Sequence, residues 1–138
     1  MKKLIFTLLF STLVFSSTSY AEWKLVAENM KAKYYVDKIK KIDGYVYWWL
    51  LADYFKPMDS RGILTMKVYH QADCKLFRLR GLSFYIYKEQ MGRGLVNDSW
   101  SSDEDWHYAP PDSSLETVLN YVCTSLTSNQ PETLHLPT

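Results

Sequence analysis

Asp43-Gly44-Tyr45-Val46-Tyr47-Trp48-Trp49-Leu50-Leu51-Ala52-Asp53-Tyr54 is the stretch on which the fold turns. Asp-Gly is the dipeptide of tight hairpin turns, whose central residues need positive φ. The ten residues after it are rich in aromatic and aliphatic side chains, as strands are. Because successive side chains of a strand point to opposite faces, Val46, Trp48 and Leu50 share one face and Tyr45, Tyr47 and Trp49 the other. Both sets are large. One can pack beneath a helix; the other is then an aromatic patch, open to a partner or a second copy, or covered by the chain's own loops. The stretch alone leaves open which set is which.

Working outward, the chain from residue 23 to 90 reads as short apolar and aromatic runs separated by turn residues. Residues 23–28 and 33–36 are expected to be the first two strands, forming a meander with 45–54. After the loop from Lys56 to Gly62, residues 63–73 alternate, with Leu64, Met66 and Val68 on one side and Thr65, Lys67 and Tyr69 on the other. Residues 76–87 form the next strand, and Gly81-Leu82-Ser83 within it predicts a bulge or bend. Met91-Gly92-Arg93-Gly94 reads as a hairpin turn, and residues 95–100 as a short returning strand.

One helix is predicted. It starts after Pro110-Pro111, where Ser113 and Glu116 have capping-box spacing, and Leu115, Val118, Leu119 and Val122 form its apolar stripe. Residues beyond Ser125 carry two prolines and few apolar side chains and read as a flexible tail, 127–138. The expected fold class is α+β: a single antiparallel sheet of about five to six strands with the C-terminal helix packed on one face. No internal repeat is visible.

The N-terminal stretch MKKLIFTLLFSTLVFSSTSYA (1–21) joins Lys2 and Lys3 to a short apolar run and a small-residue ending, the pattern of a secretory signal peptide cut between Ala21 and Glu22. The run is too short for a transmembrane anchor. Export implies an oxidising compartment, so the two cysteines, Cys74 and Cys123, are expected to form one structural disulfide tying the helix to the sheet. Residues 22–126 then form a single domain. Residues 1–21 hold two of the 16 basic residues and none of the 15 acidic ones, so the remainder carries a net charge of −1 with both signs interspersed. That pattern does not suggest a nucleic-acid partner, which would draw Lys and Arg to one face.

No catalytic motif stands out: there is no nucleophile elbow, zinc-protease helix or phosphate loop. No cofactor is implied. His70, His107 and His135 are spaced too far apart for an obvious metal site and are expected at the surface. Asp98, Asp103, Glu104 and Asp105 flank Trp100 and Trp106, but lack the alternation and glycine of a calcium loop, and read as a solvated acidic segment.

A series of short motifs, Tyr34-Tyr35-Val36-Asp37, Val46-Tyr47-Trp48-Trp49-Leu50, Asp53-Tyr54, Asp73-Cys74, Arg78-Leu79-Arg80, Met91-Gly92-Arg93-Gly94, Trp100, Pro110-Pro111-Asp112-Ser113 and Cys123, resembles in order and spacing the surface-adhesin protein E family. The resemblance implies an antiparallel sheet with a disulfide-tied C-terminal helix, in a small Gram-negative envelope protein whose relatives bind host matrix and serum proteins and can dimerise. The chain departs from the lipoprotein adhesins of that type in having no cysteine at the expected cleavage point. The expected function is therefore a non-enzymatic envelope binding protein, periplasmic before surface-displayed or secreted. Its partner is a host-matrix or envelope protein, and a homodimer is a further candidate state. Its candidate contact residues are Tyr45, Tyr47, Trp49, Trp100 and Trp106, with the loops at 56–61 and 97–108 beside them. The alternative is a small periplasmic enzyme or enzyme inhibitor acting through the loop from Asp98 to His107.

Overall fold

The computed structural model describes residues 22–126; the signal peptide expected at 1–21, with Ala21 of its expected cleavage site, and the tail expected at 127–138 lie outside the described residues. Six strands, β1 (Lys24–Glu28), β2 (Ala32–Ile42), β3 (Tyr45–Tyr54), β4 (Thr65–Asp73), β5 (Arg78–Tyr87) and β6 (Asp98–Ser101), form one open antiparallel sheet in chain order, and α1 (Ser114–Ser125) follows. The whole sheet is a meander. At the β2–β3 turn Asp43 and Gly44 both take positive φ, 51° and 83°, a pairing of signs that suits the right-handed twist of the flanking strands.

β2 runs well beyond the 33–36 expected from sequence. Its second half, Asp37-Lys38-Ile39-Lys40-Lys41-Ile42, has weak strand propensity, and pairing with the strongly strand-forming β3 overrides that preference. The extension carries a register shift between Asp37 and Lys40, with Lys38 at φ 52° and its N–H donating to Asp37 Oδ1 at 2.8 Å. The bulge expected at 81–83 is present: His70 pairs with Gly81 while Tyr69 pairs with Ser83. β4 starts at Thr65 rather than at 63. β5 starts at Arg78 because residues 74–77 turn, with Phe77 at φ 52°. The segment after β5 opens with a single helical turn at Gln90–Gly92, where Met91, Gly92 and Gly94 have positive φ, and the last strand forms only at Asp98, leaving Leu95 and Val96 exposed.

Ser113 caps α1, its Oγ accepting from Glu116 N at 3.1 Å. The return bond reaches one residue further back than a capping box requires, since Glu116 Oε1 accepts from Asp112 N at 3.4 Å. Val118, Leu119 and Val122 are fully buried, and the helix lies across β1, β2 and β3. The core under it includes Val36, Val46, Trp48, Leu50, Val68, Ala72 and Leu79. The Cys74–Cys123 disulfide, with Cα atoms 5.7 Å apart, ties the turn after β4 to the last turn of α1. It closes a 49-residue separation, worth roughly 4 kcal/mol through lost chain entropy in the unfolded state.

His70 corrects an expectation. It is buried on the helix side of the sheet, 7% exposed, with its ring stacked 5.1 Å from that of Trp48. The reason is parity: in β4 it shares a face with Met66, Val68 and Ala72, which pack in or against the core. Its Nδ1 and Trp48 Nε1 are buried without a hydrogen-bond partner among the described residues.

Candidate binding face

Strand alternation assigns the two faces of β3. Val46, Trp48 and Leu50 point to the helix and are 4%, 0% and 6% exposed, so Tyr45, Tyr47 and Trp49 are the outward set. Register carries this outer face across the sheet: Tyr47 pairs with Gln71 and Gln71 with Arg80, while Trp49 pairs with Tyr69, and Leu51 with Lys67 and Lys67 with Tyr85. The helix lies on the opposite side, so the outer face is left to loop segments at its ends, and its side chains range from the fully buried Leu51 and nearly buried Gln71 to the half-buried Tyr45, Tyr47 and Trp49.

At one end Trp106, from the segment after β6, stacks on Tyr45 with ring centroids 5.7 Å apart. The guanidinium carbons of Arg78 and Arg80 sit 4.8 and 4.6 Å from the Trp106 ring, within range for cation–π attraction. A polar ladder crosses the strands beside them. Arg80 Nε donates to Gln71 Oε1 at 2.8 Å, and Gln71 Nε2 donates to the Tyr47 hydroxyl at 2.9 Å. Arg78 pairs with Asp73 at 3.1 Å. These bonds hold amphipathic side chains in place, so their flat faces can be presented with little further loss of freedom.

In the middle, Trp49 lies 5.0 Å from Tyr69 and 5.7 Å from Tyr85, and Tyr47 is 5.9 Å from Tyr69. Each of these rings is half-buried, with an edge or face left to solvent. The other end is closed by residues 88–94. Buried Thr65 anchors that segment, donating to Glu89 O at 2.7 Å and accepting from Gly92 N at 3.1 Å, while Met91 N donates to Asp53 Oδ1 at 2.8 Å. Beside this clamp, Lys67 Nζ lies 4.7 Å from the Tyr87 ring, 5.7 Å from Trp23 and 3.5 Å from Gly92 O. Burial pushes its ammonium below the ordinary lysine value. Gly92 has φ +63°, a conformation that favours glycine, and a Cβ there would displace the flexible end of the Lys67 chain.

Four of the five residues singled out from sequence, Tyr45, Tyr47, Trp49 and Trp106, thus meet on one face. Trp100 does not. It pairs with Phe84 in β5 and stacks on it at 5.3 Å on the helix side of the sheet, 43% exposed. Sequence reading missed Lys67, Tyr69, Gln71, Arg80 and Tyr85 as members of the face. Their signal was the alternation of β4 and β5, which places them in the same parity as Trp49 once register is known. The loop at 56–61 lies at a sheet end, held by an Arg61–Asp59 ion pair at 2.6 Å, beside an apolar wall of Met30, Phe55 and Met58.

The acidic segment has other partners. Glu104 Oε2 accepts from Gly81 N at 3.2 Å at the β5 bulge, and the His107 backbone forms a two-bond bridge with Leu79, both bonds 3.0 Å. Asp98, Asp103, Glu104, Asp105 and His107 are exposed. Among the described residues, no three His, Cys, Asp or Glu side chains converge as a ligand set.

Among the described residues, an open six-stranded meander, one helix disulfide-tied across one face and an aromatic opposite face define a small stapled sheet protein. The surface-adhesin protein E sequence profile matches residues 23–124, and the chain belongs to that family. Among solved structures it is similar to protein E of Haemophilus influenzae: one structure has a TM-score of 0.55 at 17% identity, covering 79% of this chain and 89% of that one. Crystal form II of the same protein has a TM-score of 0.54 at 18% identity, covering 74% and 87%. At such identity the likeness shows a shared fold. No curated protein matches the sequence.

Proposed function

We propose that this member of the surface-adhesin family is a non-enzymatic envelope protein that recognises a protein partner through its outer sheet face, with Tyr45, Tyr47, Trp49 and Trp106 as contacts. One observation carries the reading: these rings are arrayed, together with Arg78 and Arg80, on the face that α1 leaves uncovered. Tyr, Trp and Arg are the side chains enriched where proteins bind one another, because they offer large contact areas. The signal peptide read from residues 1–21 supports export, with the periplasm as the first location to test.

The test combines Tyr47→Ala with Trp49→Ala and measures binding of purified protein to surfaces coated with host-matrix and serum proteins, with circular dichroism as the fold control. Loss of binding by a natively folded variant supports the reading. Undiminished binding by that variant removes the outer face as the contact surface. Impermeant protease applied to intact cells locates the protein: protection until the outer membrane is opened places it in the periplasm, and degradation before that places it on the surface.

A further inference from the structure

We propose that the groove at the Lys67 end of the outer face is a site for the carboxylated ring of an acidic sugar. The groove is about 300 Å³ and is lined by the rings of Trp23, Trp49, Tyr85 and Tyr87 together with Lys67, Asp37 and Lys38. That volume is at the small end of ligand pockets and suits a single ring. The aromatic side chains offer flat apolar faces of the kind on which the C–H face of a pyranose stacks.

Lys67 sets the charge of the ligand. Its ammonium is half-buried among rings, and its nearest oxygen partner is the Gly92 carbonyl at 3.5 Å. Among the described residues it makes no ion pair, while Arg61 and Arg78 do. A cation withdrawn from water without a carboxylate gains from an incoming one, through a charge-assisted hydrogen bond in a partly desolvated site. Two lysines against one aspartate leave the groove with a positive balance. The β2 bulge brings Asp37 and Lys38 into the groove lining, where the Asp37 carboxylate can accept from ring hydroxyls.

The floor argues against an extended peptide. It is formed by interior strands whose backbone groups are already paired on both sides, β3 with β2 and β4, and β4 with β3 and β5. A peptide lying there would find no free edge to extend, whereas a polyhydroxylated ring needs only the side chains.

The experiment is a tryptophan-fluorescence titration of the purified protein with glucuronate, its uncharged methyl ester and glucose. A saturable response to glucuronate is expected, with the ester and glucose at least about tenfold weaker, equivalent to ~1.4 kcal/mol. Lys67→Met, which keeps the apolar stem, should bring glucuronate down to the level of the ester with circular dichroism unchanged. Equal affinity for acid and ester overturns the proposal without needing any variant. So does the absence of saturation by glucuronate up to about 10 mM, or an equally tight, Lys67-dependent response to an N-acetylated glutamyl dipeptide. The inference rests on the reading of this face as a binding surface. Tyr45 and Trp106 lie at its other end, so Tyr45→Ala tests protein recognition while leaving the sugar titration intact, and the two readings fail separately.

Discussion

Acidification from pH 7 to pH 5 should weaken this fold through His70. The ring is buried against Trp48, and burial first, then the neighbouring charge of His107, pushes its pKa down from 6.5 to about 3. Around it the helix-side core is apolar; the titratable groups near its strand position are His107 and Glu104, the latter bound to the N–H of Gly81, with which His70 pairs. Between pH 6.5 and about 3 the unfolded chain binds a proton that the folded chain refuses, so stability rises with pH across that window and falls on acidification. The slope is about 1.4 kcal/mol per pH unit, giving a loss of about 2 kcal/mol between pH 7 and pH 5. Asp59 and Asp73, both held below 3.8, titrate beneath that interval and add nothing to it. The measurement is urea unfolding at pH 7, 6 and 5 with the disulfide intact, for the native protein and for His70→Phe, which keeps a ring against Trp48. The native midpoint should fall with pH and that of the variant should stay nearly level. A variant with the native slope, or an NMR titration of His70 with a midpoint near 6.5, would refute the reasoning.

Replacing both cysteines by serine should remove roughly 4 kcal/mol of stability, read as a lower urea midpoint; a change under about 1 kcal/mol would mean that the unfolded chain is already constrained. Trp48→Ala empties a fully buried site and should cost about 3–5 kcal/mol, whereas Trp49→Ala, on the outer face, should leave a folded protein; comparable losses at both positions would contradict the assignment of faces. Gly92→Ala should displace Lys67 and loosen residues 88–94, seen as faster amide exchange at positions 91 and 92, whose N–H groups bond Asp53 and Thr65 in the native protein; unchanged exchange would count against the clamp.

Much of the architecture was legible because its determinants are local. Asp43-Gly44 encodes its own positive-φ turn, Ser113 and Glu116 start the helix, Val118, Leu119 and Val122 mark its inward stripe, and Gly81 marks a bulge that the register confirms. Even the division of β3 into two sets of side chains follows from strand geometry alone. β2 was less legible, because pairing with β3 draws Asp37-Lys38-Ile39-Lys40 into the sheet against its own weak propensity.

The sequence by itself determined a strand-rich domain with one capped helix, a pair of cysteines suited to stapling the two, and a central strand bulky on both faces. Only the tertiary structure decided which face became the core. Helix placement across β1–β3 buries Val46, Trp48 and Leu50 and carries His70 inside with them. Register, not proximity in the chain, brings Lys67, Gln71 and Arg80 beside Trp49 and Tyr47, and the course of the chain after β6 delivers Trp106 to Tyr45 while leaving Trp100 on the other side. The physical reason is range. Turn and cap preferences act over a few residues, whereas the composition of a sheet face depends on hydrogen-bond register between strands, where a slip of a single residue exchanges the two faces.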